Sequence, residues 1–446
     1  MKFRRITETV LSALAAALFL CGCAGTATGT VVPAETADAA ASPAITAATD
    51  TDIYLSDANS LIETLEQTHP LFIDEPYPEK YLEAKQAFLQ TASGTCDADT
   101  FKLAVSKYLN SLNDAHTAAS GASKGLTGRY VQLRCAAQGD ELFLLDEGGA
   151  LTNAHVTTVC GVSAAAIYSV IDAYFSAEND TALDANHTKL ALNQSILTLA
   201  GCVFEDDKAD VTIEENGQTR QESVEFGSTA LLRRGYSGRA SATFETEDGI
   251  AVFDLNSCTD DGAFRAALRK LNAALGDGVT KVIIDVRDNP GGDSSVCATL
   301  LETLGMSVPT YGMLVRFSPL ADEQRGYGQG SGAYVSEPSL DGAQKNDDIS
   351  LCVLTNDGTF SSATMLAVWT QDGKLGTVVG YPSANAPSSY GDIIYYTLPE
   401  TDISVTISHK KFLRPDANAN QTTLEPDVLV PYGEDALPVA EALLNG

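Results

Sequence analysis

Basic residues are scarce in this sequence: 28 Lys plus Arg stand against 59 Asp plus Glu in 446 residues, a formal net charge of -31. Phosphate backbones and anionic headgroups are bound by clustered Lys and Arg, so nucleic acid is excluded as a partner. No HExxH, no CxxC pair and no tight His/Asp cluster occurs, so no metal site is expected, and nothing calls for a cofactor. No repeat of fixed period is present. What is present is a composition able to bury a core: 44% hydrophobic and 20% charged residues exclude global disorder. At about 150 residues per domain, the length allows roughly three structural units.

The N-terminus sets the compartment. Lys2, Arg4 and Arg5 precede an apolar run from Val10 to Leu20, too short for a permanent membrane helix and suited to a secretion signal. It ends in Leu20-Cys21-Gly22-Cys23, and the alternatives are an ordinary cleavage site or a lipidated Cys23. Loss of Lys2, Arg4, Arg5 and Glu8 with residues 1–22 would make the mature chain two charges more negative. Seven cysteines lie beyond the signal, an odd number, mostly among apolar neighbours as in Leu351-Cys352-Val353. Buried thiols with at most a few disulfides are expected.

Residues 23–52 are rich in Ala, Thr, Pro, Gly and Ser and read as a flexible tether. Over 53–125, apolar residues recur at helical spacing (Leu61, Ile62, Leu65; Phe101, Val105, Tyr108, Leu109), which predicts a helical cap. Residues 126–235 carry short apolar alternations, an apolar helical segment near Ala164–Phe175, a polar stretch near 179–186, and a hairpin signal at Asn216-Gly217. A small β-rich module follows from these. Over 236–446, strands at 250–253, 281–286, 349–354 and 377–379 alternate with helical patterns at 263–274, 295–304 and 362–369. That rhythm predicts an α/β core with a largely parallel sheet and ligand sites at the carboxyl ends of its strands.

Two of those strand ends carry chemistry. Arg287-Asp288-Asn289-Pro290-Gly291-Gly292 reaches a glycine pair before a helix, where exposed N–H groups suit an oxyanion hole or a purely steric turn. Gly358-Thr359-Phe360-Ser361-Ser362 enters the next helix, where a Ser serves either as a nucleophile or as an ordinary cap. A Ser nucleophile needs a base. Of the five histidines, His116 in Leu112-Asn113-Asp114-Ala115-His116-Thr117 lies in a polar turn ending the helical cap. His69 before Pro70 reads as a helix terminator, and His155, His187 and His409 read as structural or exposed.

Together these segments resemble the tail-specific (carboxy-terminal processing) and tricorn-type serine peptidases. The blocks are Arg287 to Gly292, Gly358 to Ala363 and Glu425-Pro426-Asp427-Val428, within about 250–430. The resemblance implies a crotonase/ClpP-like β-β-α superhelix core, with 126–235 as a degenerate PDZ-like module. Val159-Cys160-Gly161-Val162 resembles the Ile-Asn-Gly-Val turn of such modules. It implies Ser361 as nucleophile and an oxyanion hole from Gly291 or Gly292 together with Ser362. The Ser-Lys branch carries a Lys about two dozen residues after its Ser, but Val379 to Ala386 contains none and Lys374 comes too early. The tricorn-type turn Leu-x-Asp-x-His-Thr matches Leu112 to Thr117 and makes His116 the base. Glu425 is the candidate acid, and the lipobox resemblance makes Cys23 the lipid anchor. The expectation is an extracytoplasmic, lipid-anchored serine endopeptidase acting on polypeptides. Its alternatives are an inactive relative that binds peptides or cell-surface components, and an acyl-CoA enzyme lacking evident basic residues for cofactor phosphates.

Overall fold

A computed structural model describes residues 30–32, 50–74, 76–120, 125–231 and 239–446. The expected signal, Cys23 and most of the tether lie outside the described residues. One part of the tether departs from expectation: Thr30–Val32, rich in β-branched side chains, forms a strand antiparallel to Gly332–Ser336. A helix also begins at Asp50, inside the tether's expected span.

The helical cap consists of Asp50–Thr68, Glu79–Ser93 and Ala98–Asn110. The periodic residues Leu61, Leu65, Phe101, Val105, Tyr108 and Leu109 point inward and are buried. Their core is shared with Leu398, Ile403, Val405 and Ile407 from the other end of the chain. Past the last helix, Asn113 takes φ 51° and turns the chain into Asp114, Ala115 and His116. Strand Ala118–Ala119 then pairs with Ser404–Leu413. The Thr406 hydroxyl donates to the His116 carbonyl at 2.7 Å, so the candidate base has an anchored backbone.

The β-rich module is an antiparallel sheet in the order Tyr130–Val131, Gln218–Gly227, Lys208–Glu215, Leu151–Val159, Glu141–Leu145, Cys135–Gln138. Asn216 and Gly217, both at positive φ, join the Lys208–Glu215 and Gln218–Gly227 strands as the dipeptide requires. The polar stretch at 179–186 opens a helix, Asp180–Leu190. Asn179 accepts the Ala182 N–H and caps Asp180–Leu190, so its side chain starts a helix that apolar periodicity does not announce.

The last half holds two sheets. In the first, Ala242–Glu247 pairs antiparallel with Ile250–Leu255; Lys281–Asp285, Ser350–Thr355, Thr377–Gly380 and Val428–Leu429 then follow in parallel. Helices Gly262–Gly276, Ser294–Thr303 and Ser362–Asp372 make the crossovers. Val282, Ile283 and Ile284 are all fully buried, as are Val353 and Leu354, because both faces of a parallel sheet are covered. The second sheet, which the β-then-α rhythm did not anticipate, is antiparallel and contains Gly312–Phe317, Gly332–Ser336, Tyr390–Thr397 and Ser404–Leu413. It supplies one wall of the candidate site. Five of the seven cysteines among the described residues are buried.

Candidate active site

Strands Lys281–Asp285 and Ser350–Thr355 are parallel neighbours, so the two motif-bearing loops leave the sheet side by side. Their side chains tie the loops together. Asn356 accepts the N–H groups of Asp288 (2.8 Å) and Gly358 (3.0 Å). The Thr359 hydroxyl donates to the Val286 carbonyl (2.9 Å) and accepts the Asn356 N–H (3.0 Å), while the Phe360 N–H donates to the Asn289 carbonyl (2.9 Å). This bracing presents Ser361 at φ 54° and ψ -125°, a conformation costing about 1–3 kcal/mol for a non-glycine residue.

The choice between capping and catalysis can be made residue by residue. Thr359 is occupied in the loop, and Ser362 donates its hydroxyl to the Gly292 carbonyl at 2.6 Å. Ser361 precedes the helix but makes no side-chain cap bond, and it lines a cleft of about 220 Å³. A strained serine with an uncommitted hydroxyl at a helix N-terminus is the arrangement a nucleophile needs.

Beside it, Gly291 and Gly292 take φ 93° and 135°. A Cβ on Gly291 would stand 2.5 Å from the Ser361 Cβ, and one on Gly292 would collide with the Cys258 carbonyl oxygen. Both positions therefore need glycine for close approach as well as for φ. Of the two glycines expected as alternative donors to an oxyanion, Gly291 is the one whose N–H is engaged within the loop. The Gly291 N–H donates to Asn289 Oδ1 at 2.8 Å, an Asx-type turn, so it is already committed. The N–H groups of Gly292 and Ser362 find no acceptor among the described residues and remain for an oxyanion.

His116 lines the same cleft, its ring tilted on Phe360 with centroids 4.8 Å apart. No hydrogen bond joins it to Ser361, and neither ring nitrogen has a hydrogen-bond partner among the described residues. Asp114 Oδ1 accepts the His116 backbone N–H at 2.8 Å and lies 3.8 Å from Nδ1. Its other oxygen meets Nε2 of buried His69 at 3.1 Å. Because His69 Nδ1 accepts the Leu71 N–H, His69 Nε2 carries the proton and donates to Asp114. Burial works against an ionised Asp114, yet the His69 bond and the nearby His116 hold its carboxyl well below the usual range. Burial pulls His116 below the ordinary imidazole value, and Asp114 opposes that pull.

Glu178, between two module helices, completes the surroundings of the base. Its carboxylate accepts the N–H of Ala115 (3.2 Å), the N–H of Ala386 (2.9 Å) and Nδ2 of Asn385 (2.6 Å). Burial and the Asp114 charge push it up to about 7. Asp114, His116 and Glu178 offer ligand atoms within 4.8 Å of one another, a His/carboxylate group that sequence spacing alone hides. Each carboxylate oxygen in the group accepts at least one N–H.

Glu425 is not part of this site. It is exposed, and its carbonyl accepts Gln371 Nε2 near the far end of the helix that Ser361 precedes. Asp427 in the same block accepts the Val378 N–H at 2.8 Å, so that block braces the sheet. Lys374 is exposed beyond that helix's end. The stretch lacking a lysine instead places Asn385 against Ser361. His187 is bonded to Asp172 and stacked on Tyr168, and His155 faces Glu214; His409 is buried between Tyr327 and the cleft-lining Asp392, and none of the three lines the cleft itself. His69, Asp114, Glu178 and Asn385 were missed as site residues. Only Asp114, within the turn that singled out His116, carried a local signal.

The sequence model of peptidase family S41 matches residues 249–430, the span holding both loops. None of the curated proteins matches the chain in sequence. Among solved structures, mature CPAF complexed with lactacystin aligns over 89% of this chain and 97% of its own at 14% identity, with a TM-score of 0.59. A second structure of mature CPAF aligns over 89% and 96% at 12% identity, also with a TM-score of 0.59. The photosystem II D1 C-terminal processing protease aligns over 89% and 97% at 15% identity, with a TM-score of 0.46. At these identities the CPAF likeness is one of fold, and the family assignment rests on the sequence match across the two loops. Over residues 249–430 the chain is similar to peptidase family S41, and it is a serine-type peptidase.

Proposed function

We propose that this protein is an endopeptidase in which Ser361 is the nucleophile and His116 the general base. The observation that carries the reading is Ser361 itself: strained, without a cap bond, and sharing one cleft with an imidazole whose nitrogens are uncommitted. With Asp114 on the Nδ1 side, Nε2 is the basic nitrogen. Nε2 removes the Ser361 hydroxyl proton as Oγ attacks the peptide carbonyl, and the oxyanion is held by the Gly292 and Ser362 N–H groups. The imidazolium then protonates the departing amine, leaving an acyl-enzyme that water cleaves by the same route. One such backbone donor is worth about 10²–10³ in rate. Phe360, Met365, Ile393 and Phe412 line the cleft and suit an apolar substrate side chain.

The core over 236–446 is read as a crotonase/ClpP-like superhelix and 126–235 as a degenerate PDZ-like module, with 53–125 as cap. The turn Cys160-Gly161, both at positive φ between paired strands, supports the module assignment. Location follows from the N-terminal sequence: residues 1–22 direct export and a lipidated Cys23 anchors the protein on the outer face of a bacterial membrane.

A fluorophosphonate probe tests the chemistry. Wild-type ectodomain is expected to take up label and to cleave an unfolded polypeptide, with both lost in Ser361→Ala and reduced by about 10³-fold or more in His116→Ala. Absence of both activities in the wild type would favour an inactive peptide-binding relative. For the anchor, Cys23→Ala is expected to move the full-length protein out of the membrane fraction; retention there contradicts lipidation at Cys23.

A further inference from the structure

Asn385 lies 24 residues after Ser361, in the loop that follows strand Thr377–Gly380, and its side chain is buried. Its Oδ1 accepts the Ser361 backbone N–H at 2.8 Å, and its Nδ2 donates to Glu178 Oε2 at 2.6 Å. The other Glu178 oxygen accepts the N–H of Ala115, one residue before His116, at 3.2 Å. Two side chains thus join the backbone of the nucleophile to the backbone of the base, across separations of 24, 207 and 63 residues. The link is held from the module side as well. Asn179, next to Glu178, donates to the carbonyls of Ser383 (3.1 Å) and Thr422 (3.0 Å), so module and loop are fixed to each other.

We propose that Asn385 and Glu178 are positioning residues: they fix Ser361 in its strained conformation and set its spacing to His116. This rests on the serine peptidase reading and deepens it. The residue types match the task. Position 385 needs an acceptor toward Ser361 and a donor toward a carboxylate, and an amide supplies both on one planar group. Alanine supplies neither, and an ionised carboxylate supplies only the acceptor. Without the bond, Ser361 is free to relax from φ 54°, and an error of about 1 Å in a reacting atom is enough to cost about 10²-fold in rate.

The variant Asn385→Asp separates positioning from general loss of structure. Its new carboxyl faces Glu178, with Asp114, His116 and Tyr390 as the other titratable groups around it. Two carboxyls in hydrogen-bond contact share a proton in acid and repel when both ionise. The expected result is fluorophosphonate labelling that is closest to wild type in mildly acidic solution and falls as pH rises. Wild-type labelling runs the other way, increasing as His116 loses its proton. Asn385→Ala is expected to label about 10²-fold more slowly at every pH, and the Ser361 amide should exchange with deuterium faster than in the wild type.

If the wild type labels and Asn385→Asp merely scales its profile down, or Asn385→Ala keeps the Ser361 amide protected, the positioning link is overturned. If the wild type takes no label but Asn385→Ala deprotects the Ser361 amide, the peptidase reading fails and the link stands.

Discussion

The two halves of the candidate site are built differently. On the nucleophile side, Asn289, Asn356, Thr359 and Ser362 spend their polar groups on the loops that shape Ser361 and the Gly291-Gly292 turn. On the base side, the His116 backbone is fixed by Asp114 and Thr406, but its ring is held by packing on Phe360, with both nitrogens buried and unpartnered. Buried groups without partners are uncommon and concentrate where function needs them. The difference follows from what each half must do. A residue at φ 54° persists only when its surroundings over-determine it, so the nucleophile and oxyanion donors are rigid before substrate arrives. In the proposed mechanism the base exchanges protons first with Ser361 and then with a leaving amine, and a ring without fixed hydrogen bonds can serve both.

The sharpest way to break that contrast is Gly291→Ala. Its Cβ would fall 2.5 Å from the Ser361 Cβ and 2.9 Å from the Phe360 carbonyl oxygen, at φ 93°. Overpacking costs about 1–3 kcal/mol, and left-handed backbone adds roughly 1–2 kcal/mol. Relief requires moving the nucleophile, so labelling should fall about 10³-fold or further while the protein remains folded with a lower unfolding midpoint. Near-normal labelling would mean that the nucleophile half has slack and that the two halves do not differ in rigidity.

How much of this was legible in the sequence follows the same division. The parallel strands are continuous apolar runs because both their faces are covered, and the motif loops sit at their ends, so Ser361, Gly292 and Ser362 could be singled out locally. His116 stood out by its turn, and Asp114 was two residues away in the same turn without being given a role. Glu178 and Asn385 were illegible because their meaning is a contact between residues 207 apart, and nothing local distinguishes either from ordinary loop polarity. The committed Gly291 donor was readable in principle, since Asn two residues earlier is an Asx-turn signal. Glu425 lies apart from the cleft because its block braces the Gln371 side chain and the Val378 backbone. The antiparallel sheet that walls the cleft was missed because its alternating strands follow no β-then-α rhythm.

Asp114→Asn probes the base half with a smaller expected effect. Asp114 lies 3.8 Å from His116 Nδ1, beyond hydrogen-bond length, so its influence on the ring is mainly electrostatic, while its bond to the His116 N–H fixes the backbone. The amide can still accept that N–H through its oxygen, but it removes the charge and turns its NH2 toward the His69 Nε2 proton, so the His69 bond is lost as well. Labelling at the plateau should therefore fall by about 10²-fold, because the imidazolium formed as Ser361 is deprotonated loses its counter-charge. The pH dependence has a definite sign. In the wild type, burial depresses His116 and Asp114 lifts it, so removing the charge moves the acid limb of the labelling profile to lower pH. Base availability thus extends further into acid while the maximal rate drops, a combination that simple misfolding does not produce. An acid limb that stays in place, or moves to higher pH, would place the Asp114 charge outside the control of the base and leave Glu178 as the acid that governs it.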